Sequence, residues 1–223
     1  MKKLLKKITH PILKKYHFWY HKKPRKYVYK DVYTIIQPTV FSPKSTLSTK
    51  VFLDYISNLN LKNKSVLELG CGSGIISVFC ALKGAKVTAS DINKVAIDSL
   101  QEVSKKQGFE INCVLSDLFD SVNKSDSDYI FINPPYYPKK PKNIEEQAWF
   151  CGENFEYFSK LFSQLKENIS ESTITLLILS DACDLENIKK IAIENNLIFK
   201  KISTKKLSFE TNYIFHLKTH TVT

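Results

Sequence analysis

From about Leu61 onward the chain alternates between short continuous apolar runs and stretches whose apolar residues recur every three or four positions. The runs Ser65–Leu69, Lys86–Ser90, Ile111–Leu115, Tyr129–Ile132 and Thr173–Leu179 predict buried strands. Helices are expected between them, over Ile75–Lys83, Asn93–Gln107, Phe155–Ile169 and Leu185–Asn195. Ile198–Lys206 and Tyr213–Lys218, joined by a short connection, read as an antiparallel hairpin at the edge of the sheet. Strands apolar on both faces, each followed by a helix, predict an α/β fold with a mostly parallel sheet covered on both sides.

Upstream the pattern differs. Asp31–Phe41 is strand-like, Ser42-Pro43 breaks it, and Ser48-Thr49 offers an N-cap for a helix to about Ser57. Before that, residues 1–30 hold eleven Lys or Arg and no Asp or Glu, which leaves 22 basic against 22 acidic residues in the rest of the chain. The whole net charge of +11 therefore belongs to one end. Leu4, Leu5, Ile8, Ile12 and Leu13 fall at roughly helical spacing there, followed by Tyr16, Phe18, Trp19 and Tyr20. Three units follow: a basic aromatic arm over 1–30, a connecting strand and helix over 31–60, and a core over 61–223.

At 223 residues with 43% hydrophobic positions, the chain can bury a sizeable core, which excludes wholesale disorder. Five scattered cysteines without a Cys-x-x-Cys pair exclude a disulfide framework and a zinc site of that kind, and they fit a reducing cytoplasm. The five histidines show no ligand spacing, so no metal is expected. No apolar run approaches the ~18 residues of a membrane span, and lysines interrupt the N-terminus too often for a signal peptide.

The chemistry is concentrated at strand ends. Only six glycines occur, and Gly70, Gly72 and Gly74 fall within five residues directly after a predicted strand. Such a turn lets backbone N–H groups approach a nucleotide-like ligand closely. Its spacing departs from the dinucleotide fingerprint, which would place the third glycine at position 75, and it lacks the Lys-Ser/Thr of a P-loop. Glu68 precedes the turn. The next strand ends at Asp91, placed to accept ribose hydroxyls; the third ends at Asp117-Leu118, and the fourth at Asn133-Pro134-Pro135-Tyr136.

These residues resemble the class I S-adenosylmethionine-dependent methyltransferases, in the subgroup whose Asn-Pro-Pro-Tyr motif serves methylation of nitrogen on a planar amide or base. The resemblance spans about residues 32–220. It implies an enzyme with a Rossmann-like, doubly wound, mostly parallel seven-stranded sheet, and with S-adenosylmethionine as cofactor. It further implies that Glu68, Gly70, Gly72, Gly74, Asp91, Asp117, Leu118 and Thr49 bind that cofactor. Within the catalytic motif Asn133, Pro134, Pro135 and Tyr136, Asn133 and the Pro134 carbonyl would accept hydrogen bonds from the target NH₂, and Tyr136 would stack on its planar group. The segment from Val40-Phe41-Ser42-Pro43 to Ser48-Thr49 is similar to the part of the family that closes over the cofactor. Gln147–Phe155 is similar to the segment after the motif in glutamine methyltransferases that modify release factors, although Cys151-Gly152 stands where two glycines are usual.

An amide or exocyclic amine is a poor nucleophile because its lone pair is conjugated. Fixed acceptors on its hydrogens matter more than a strong base, which suits a neutral Asn and a proline carbonyl. The acceptor expected first is RNA or a ribosome-associated component, since lysines interleaved with aromatics suit a grip on phosphates and unpaired bases. A protein glutamine of release-factor type is the alternative. DNA adenine ranks third, for want of an inserted recognition region. From another class stands a non-catalytic RNA-binding scaffold that keeps the fold. For the arm, a solvated tail and an interfacial helix on anionic lipid remain open. Trp149, Phe150 and Phe155 read as packing residues, and Lys139, Lys140 and Lys142 as either a solvated surface turn or, by preference, a basic lip for an anionic substrate.

Overall fold

The computed structural model of the chain describes residues 22–122 and 127–219. Most of the basic arm, including Tyr16, Phe18, Trp19 and Tyr20, lies outside them. The described chain opens with a hairpin of β1 (Arg25–Tyr29) and β2 (Val32–Ile36), followed by helix α1 (Ser48–Ile56). Then come β3 (Ser65–Leu69), α2 (Ile75–Leu82), β4 (Lys86–Asp91), α3 (Lys94–Lys106), β5 (Ile111–Leu115) and β6 (Tyr129–Ile132). A short α4 (Ile144–Gln147), α5 (Glu156–Asn168), β7 (Ile174–Ser180), α6 (Leu185–Glu194), β8 (Leu197–Lys206) and β9 (Thr211–Thr219) complete it.

Seven strands form one sheet in the order β5-β4-β3-β6-β7-β9-β8. β9 alone runs against its neighbours, pairing antiparallel with both β7 and β8. Period-two alternation sends each strand's side chains into two cores. Phe131, Leu176, Ile178 and Ile214 meet Phe52 and Leu53 of α1, Ile75 and Ile76 of α2, and Leu100 of α3. Ile130, Ile132, Leu177 and Leu179 meet Phe158, Leu161, Phe162 and Leu165 of α5 on the other face. The chain moves outward from β3 through β4 to β5, then returns to place β6 on the other side of β3. That reversal opens a crevice at the carboxyl ends of β3 and β6, where ligands bind in sheets of this kind.

Arg25–Tyr29 belongs to the fold, although composition assigns it to the arm. Tyr29 is buried, meets the Phe79 ring edge-on at 5.1 Å, and donates its hydroxyl to Asp54 of α1 at 2.8 Å. The inward alternation of Tyr27 and Tyr29 is masked in sequence by the surrounding Lys and Arg. The strand-like stretch 31–41 shortens to Val32–Ile36, because the chain must turn across the crevice to reach α1. Helix α1 begins at Ser48 as expected, but its N-cap is Leu47, with no side-chain cap. Among the described residues, no helix is long and apolar enough to cross a membrane.

Candidate active site

The crevice has two walls. The first begins where β3 ends and the chain turns through Gly70, Gly72 and Gly74, with φ of +70°, +52° and +75°. A Cβ built at Gly70 or Gly72 would meet nothing within 4 Å, so the backbone there faces open space. Gly74 serves packing instead: a Cβ on it would lie 2.4 Å from Leu100 Cδ1. Gly74 stands outside the cleft lining, unlike the other site residues expected from sequence. The Cys71 N–H donates to the Ser90 carbonyl (2.9 Å), and Thr34 Oγ1 donates to the Ser73 carbonyl, which ties the turn to β4 and β2.

Two carboxylates brace this turn. Asp91 Oδ2 accepts the Gly72 N–H at 2.8 Å and Oδ1 accepts the Asn93 N–H at 2.8 Å. Burial raises its pKa, and these bonds, which favour the charged form, oppose the rise. Glu68 is 4% exposed and accepts both the N–H of Ser77, at 2.8 Å, and its hydroxyl on Oε2. Desolvation pushes its pKa up to about 8 despite those bonds. Past β5, Asp117 lines the cleft but also pairs at 2.6 Å with Lys160, which is shared with Asp120. Leu118 adopts φ +55°, unusual for a residue with a side chain, and Ser116 Oγ donates to its carbonyl at 2.9 Å. Tyr157 of α5 closes this end; burial first, and then the charges of Asp91 and Asp117, raise its phenol pKa.

The second wall is made of side chains from distant segments. Asn133 Nδ2 donates to Thr49 Oγ1 at 3.1 Å. That bond fixes the amide and leaves Oδ1 as an acceptor. Thr49, expected against the cofactor, thus also orients Asn133. Pro134, Pro135 and Tyr136 line the same cleft. Tyr136 is buried, with its ring 4.7 Å from that of Tyr137, and burial holds both phenols above their usual range.

A roof spans the two walls. Phe41 and Trp149 meet edge to face at 4.9 Å and 62°, and both line the cleft. Tyr137 N–H to Trp149 O (3.1 Å), Cys151 N–H to Tyr137 O (3.0 Å) and Gly152 N–H to Lys139 O (3.1 Å) zip the roof segment to the Asn-Pro-Pro-Tyr loop. Helix α4 within it is capped by Asn143, whose side chain accepts the Glu146 N–H at 2.9 Å. Trp149, read from sequence as packing, therefore faces the site. Phe41 and Gln147, which fall in segments noted from sequence without a role of their own, also line it, as does Tyr157, which carries no sequence signal because its partners lie far along the chain.

A mostly parallel sheet with a glycine turn after its first strand, acids after the next two and Asn-Pro-Pro-Tyr after the fourth defines a class I, S-adenosylmethionine-dependent methyltransferase fold. Residues 32–150 match the model of the methyltransferase small domain, and the chain belongs to that family. A candidate protein N5-glutamine methyltransferase of Methanocaldococcus jannaschii is 41% identical over 106 residues, covering 46% of this chain and 50% of that one. The chain spans half or less of the length of the curated relatives it matches. A chain of the E. cuniculi Mtq2-Trm112 complex, responsible for methylation of the eRF1 translation termination factor, has a TM-score of 0.61 at 21% identity, covering 82% of this chain and 99% of that one. The T. thermophilus 16S rRNA N2 G1207 methyltransferase, solved with AdoMet and guanosine, also reaches 0.61 at 14% identity, covering 87% of this chain and 50% of that one.

Proposed function

We propose that the chain is an S-adenosylmethionine-dependent N-methyltransferase acting on a planar NH₂ group. The observation that carries this reading is the Asn133–Thr49 bond, which turns an amide oxygen into a fixed acceptor beside the glycine turn. The cradle suits the cofactor: the open space over Gly70 and Gly72 would take its methionine end, Asp91 would offer its remaining lone pairs to the ribose hydroxyls, and Asp117 with Leu118 would hold the adenine. Bound there, the cofactor supplies a methyl group already activated by a sulfonium. The protein's own task is to hold a nitrogen lone pair in line with it. Asn133 Oδ1 and the Pro134 carbonyl accept the two N–H bonds of the target, and Tyr136, Tyr137 and the roof of Phe41 and Trp149 confine its plane and exclude water.

An exocyclic base amine in RNA or a ribosome-associated component is the acceptor that the basic lip and arm favour, and a cytoplasmic location belongs to that same reading. The 41% identity to the M. jannaschii relative favours a glutamine amide as the second reading. The E. cuniculi chain, covered over 99% of its length, lends it further support, because a chain of about this core's extent occurs in a complex that methylates a termination factor. Incubating the protein with methyl-labelled cofactor and an extract lacking its gene, followed by separation into RNA, protein, DNA and small molecules, tests both. Label in RNA supports the first reading and label in protein the second. Bound cofactor with no label in any fraction over a range of extracts counts against methyl transfer.

A further inference from the structure

Outside the cleft, one surface has no role in what has been described. Strands β8 and β9 are joined by the turn Leu207–Glu210, closed by the Leu207 N–H to Glu210 carbonyl bond at 2.9 Å. The pairing of Asn212 with Ser180, at the carboxyl end of β7, sets this turn at the sheet edge that carries Asn133. Glu210 stands close enough to Tyr136 and Tyr137 for its charge to act on both phenols. The hairpin tip therefore borders the acceptor end of the cleft.

At this tip Phe209 is 86% exposed, more than any other large hydrophobic residue among those described. Beside it Lys205 and Lys206 are exposed, and across the mouth so are Lys139, Lys140 and Lys142. The ion pairs among the described residues engage Lys50, Lys64, Lys94, Lys106, Lys160 and Lys190, and none of these five. Lysines on an edge strand commonly block strand addition, but Lys139, Lys140 and Lys142 lie on a loop, and an exposed Phe does the opposite of blocking. Lys139 Nζ also stands 4.7 Å from the centroid of the Phe150 ring, and the Lys140 charge acts on Glu156. Exposed cations outside these ion pairs, flanking a bare aromatic face beside a pocket for a planar amine, match a chain that alternates phosphates with unstacked bases. An acidic peptide would answer the lysines and leave the Phe209 ring without a planar partner.

We propose that the β8–β9 tip and the lip of Lys139, Lys140 and Lys142 form a track for single-stranded RNA, with Phe209 as the platform for an unpaired base next to the one that enters the cleft. This rests on the methyl-transfer reading and names the polymer that delivers the amine.

The test is fluorescence anisotropy of a labelled mixed-sequence single-stranded RNA of about 12 nucleotides against the full chain, at several salt concentrations. The basic arm is present in every sample and cancels in the comparison of variants. Phe209→Ala should weaken binding by about 5- to 150-fold, and Phe209→Trp should restore it. Lys205→Ala with Lys206→Ala should reduce the slope of log affinity against log salt by about 1.4. Thermal midpoints and calorimetric cofactor affinity should stay at wild-type values in all variants, since none of these residues packs in the core or lines the cleft. RNA binding that is absent, or identical in affinity and slope across the variants, overturns the track. So does competition by an acidic peptide that Phe209→Ala leaves unaffected, which would mark a protein surface instead. Methyl transfer to the fractionated extract is read separately, so loss of the track leaves the enzymatic reading standing, and failure of transfer is distinguishable from failure of RNA binding.

Discussion

On the glycine side of the cleft the parts are local and largely backbone: Gly70 and Gly72 leave their space open, and Asp91 holds the Gly72 N–H across one strand. On the acceptor side they are side chains brought from far apart, Thr49 against Asn133 across 84 positions and Phe41 against Trp149 across more. Backbone groups bind what is common to many enzymes of a fold, whereas side chains from separate segments can change independently. The first wall is thus suited to hold a shared cofactor and the second to select an acceptor.

Asn133→Ala presses hardest on that division. It should lower methyl transfer by about 10²–10³-fold, as loss of one preorganised hydrogen-bond partner does elsewhere, while calorimetric cofactor affinity changes little; equal loss of both would make Asn133 structural. Gly74→Val acts on the opposite wall without touching ligand. Its branched side chain meets Leu100 at a φ of +75°, so unfolding stability should fall by roughly 3 kcal/mol in urea titration. Gly70→Ala, at a similar φ but in open space, should cost about 1 kcal/mol and act mainly on cofactor affinity.

Glu68 gives the first wall a pH signature. Its folded pKa of about 8 lies above the ordinary carboxylate value, so the unfolded chain releases this proton first. Its contribution is complete below the unfolded carboxylate value of about 4.3, is lost at about 1.4 kcal/mol per pH unit as pH rises from there toward 8, and is flat above the folded value. Glu68→Gln, which keeps an acceptor for Ser77, should flatten the midpoint-against-pH curve; an unchanged slope would place its source elsewhere. The smallest effect concerns the roof. A double-mutant cycle of Phe41→Ala and Trp149→Ala should show a coupling of about 0.5–1.5 kcal/mol in acceptor KM, while cofactor affinity shows none.

The same division explains what the sequence made legible. Strands β3 to β7 were readable because each is a short apolar run, and the polar ends of β3 to β6 stood out because each brings a glycine, acid or Asn-Pro-Pro-Tyr directly after such a run. The glycine turn was readable because three of six glycines fall together. Yet a glycine does not declare whether it spares room for a ligand or for Leu100, so Gly74 was grouped with Gly70 and Gly72. Trp149 was read as packing because only folding reveals that it lies over the cleft against Phe41. Thr49 was expected against the cofactor and lines the cleft, but its bond to Asn133 depends on the approach of α1 to β6, which no local pattern encodes. Arg25–Tyr29 was hidden by charge: its lysines and arginine made a paired strand look like the end of a tail.

The most direct measurement is to hydrolyse the labelled product of the reaction and locate the transferred methyl group by mass spectrometry. A methyl on an exocyclic base nitrogen or a glutamine amide nitrogen is the predicted result, since the bond to Thr49 leaves the Asn133 amide oxygen as an acceptor in the cleft. A methyl on carbon or on a hydroxyl oxygen would contradict the account.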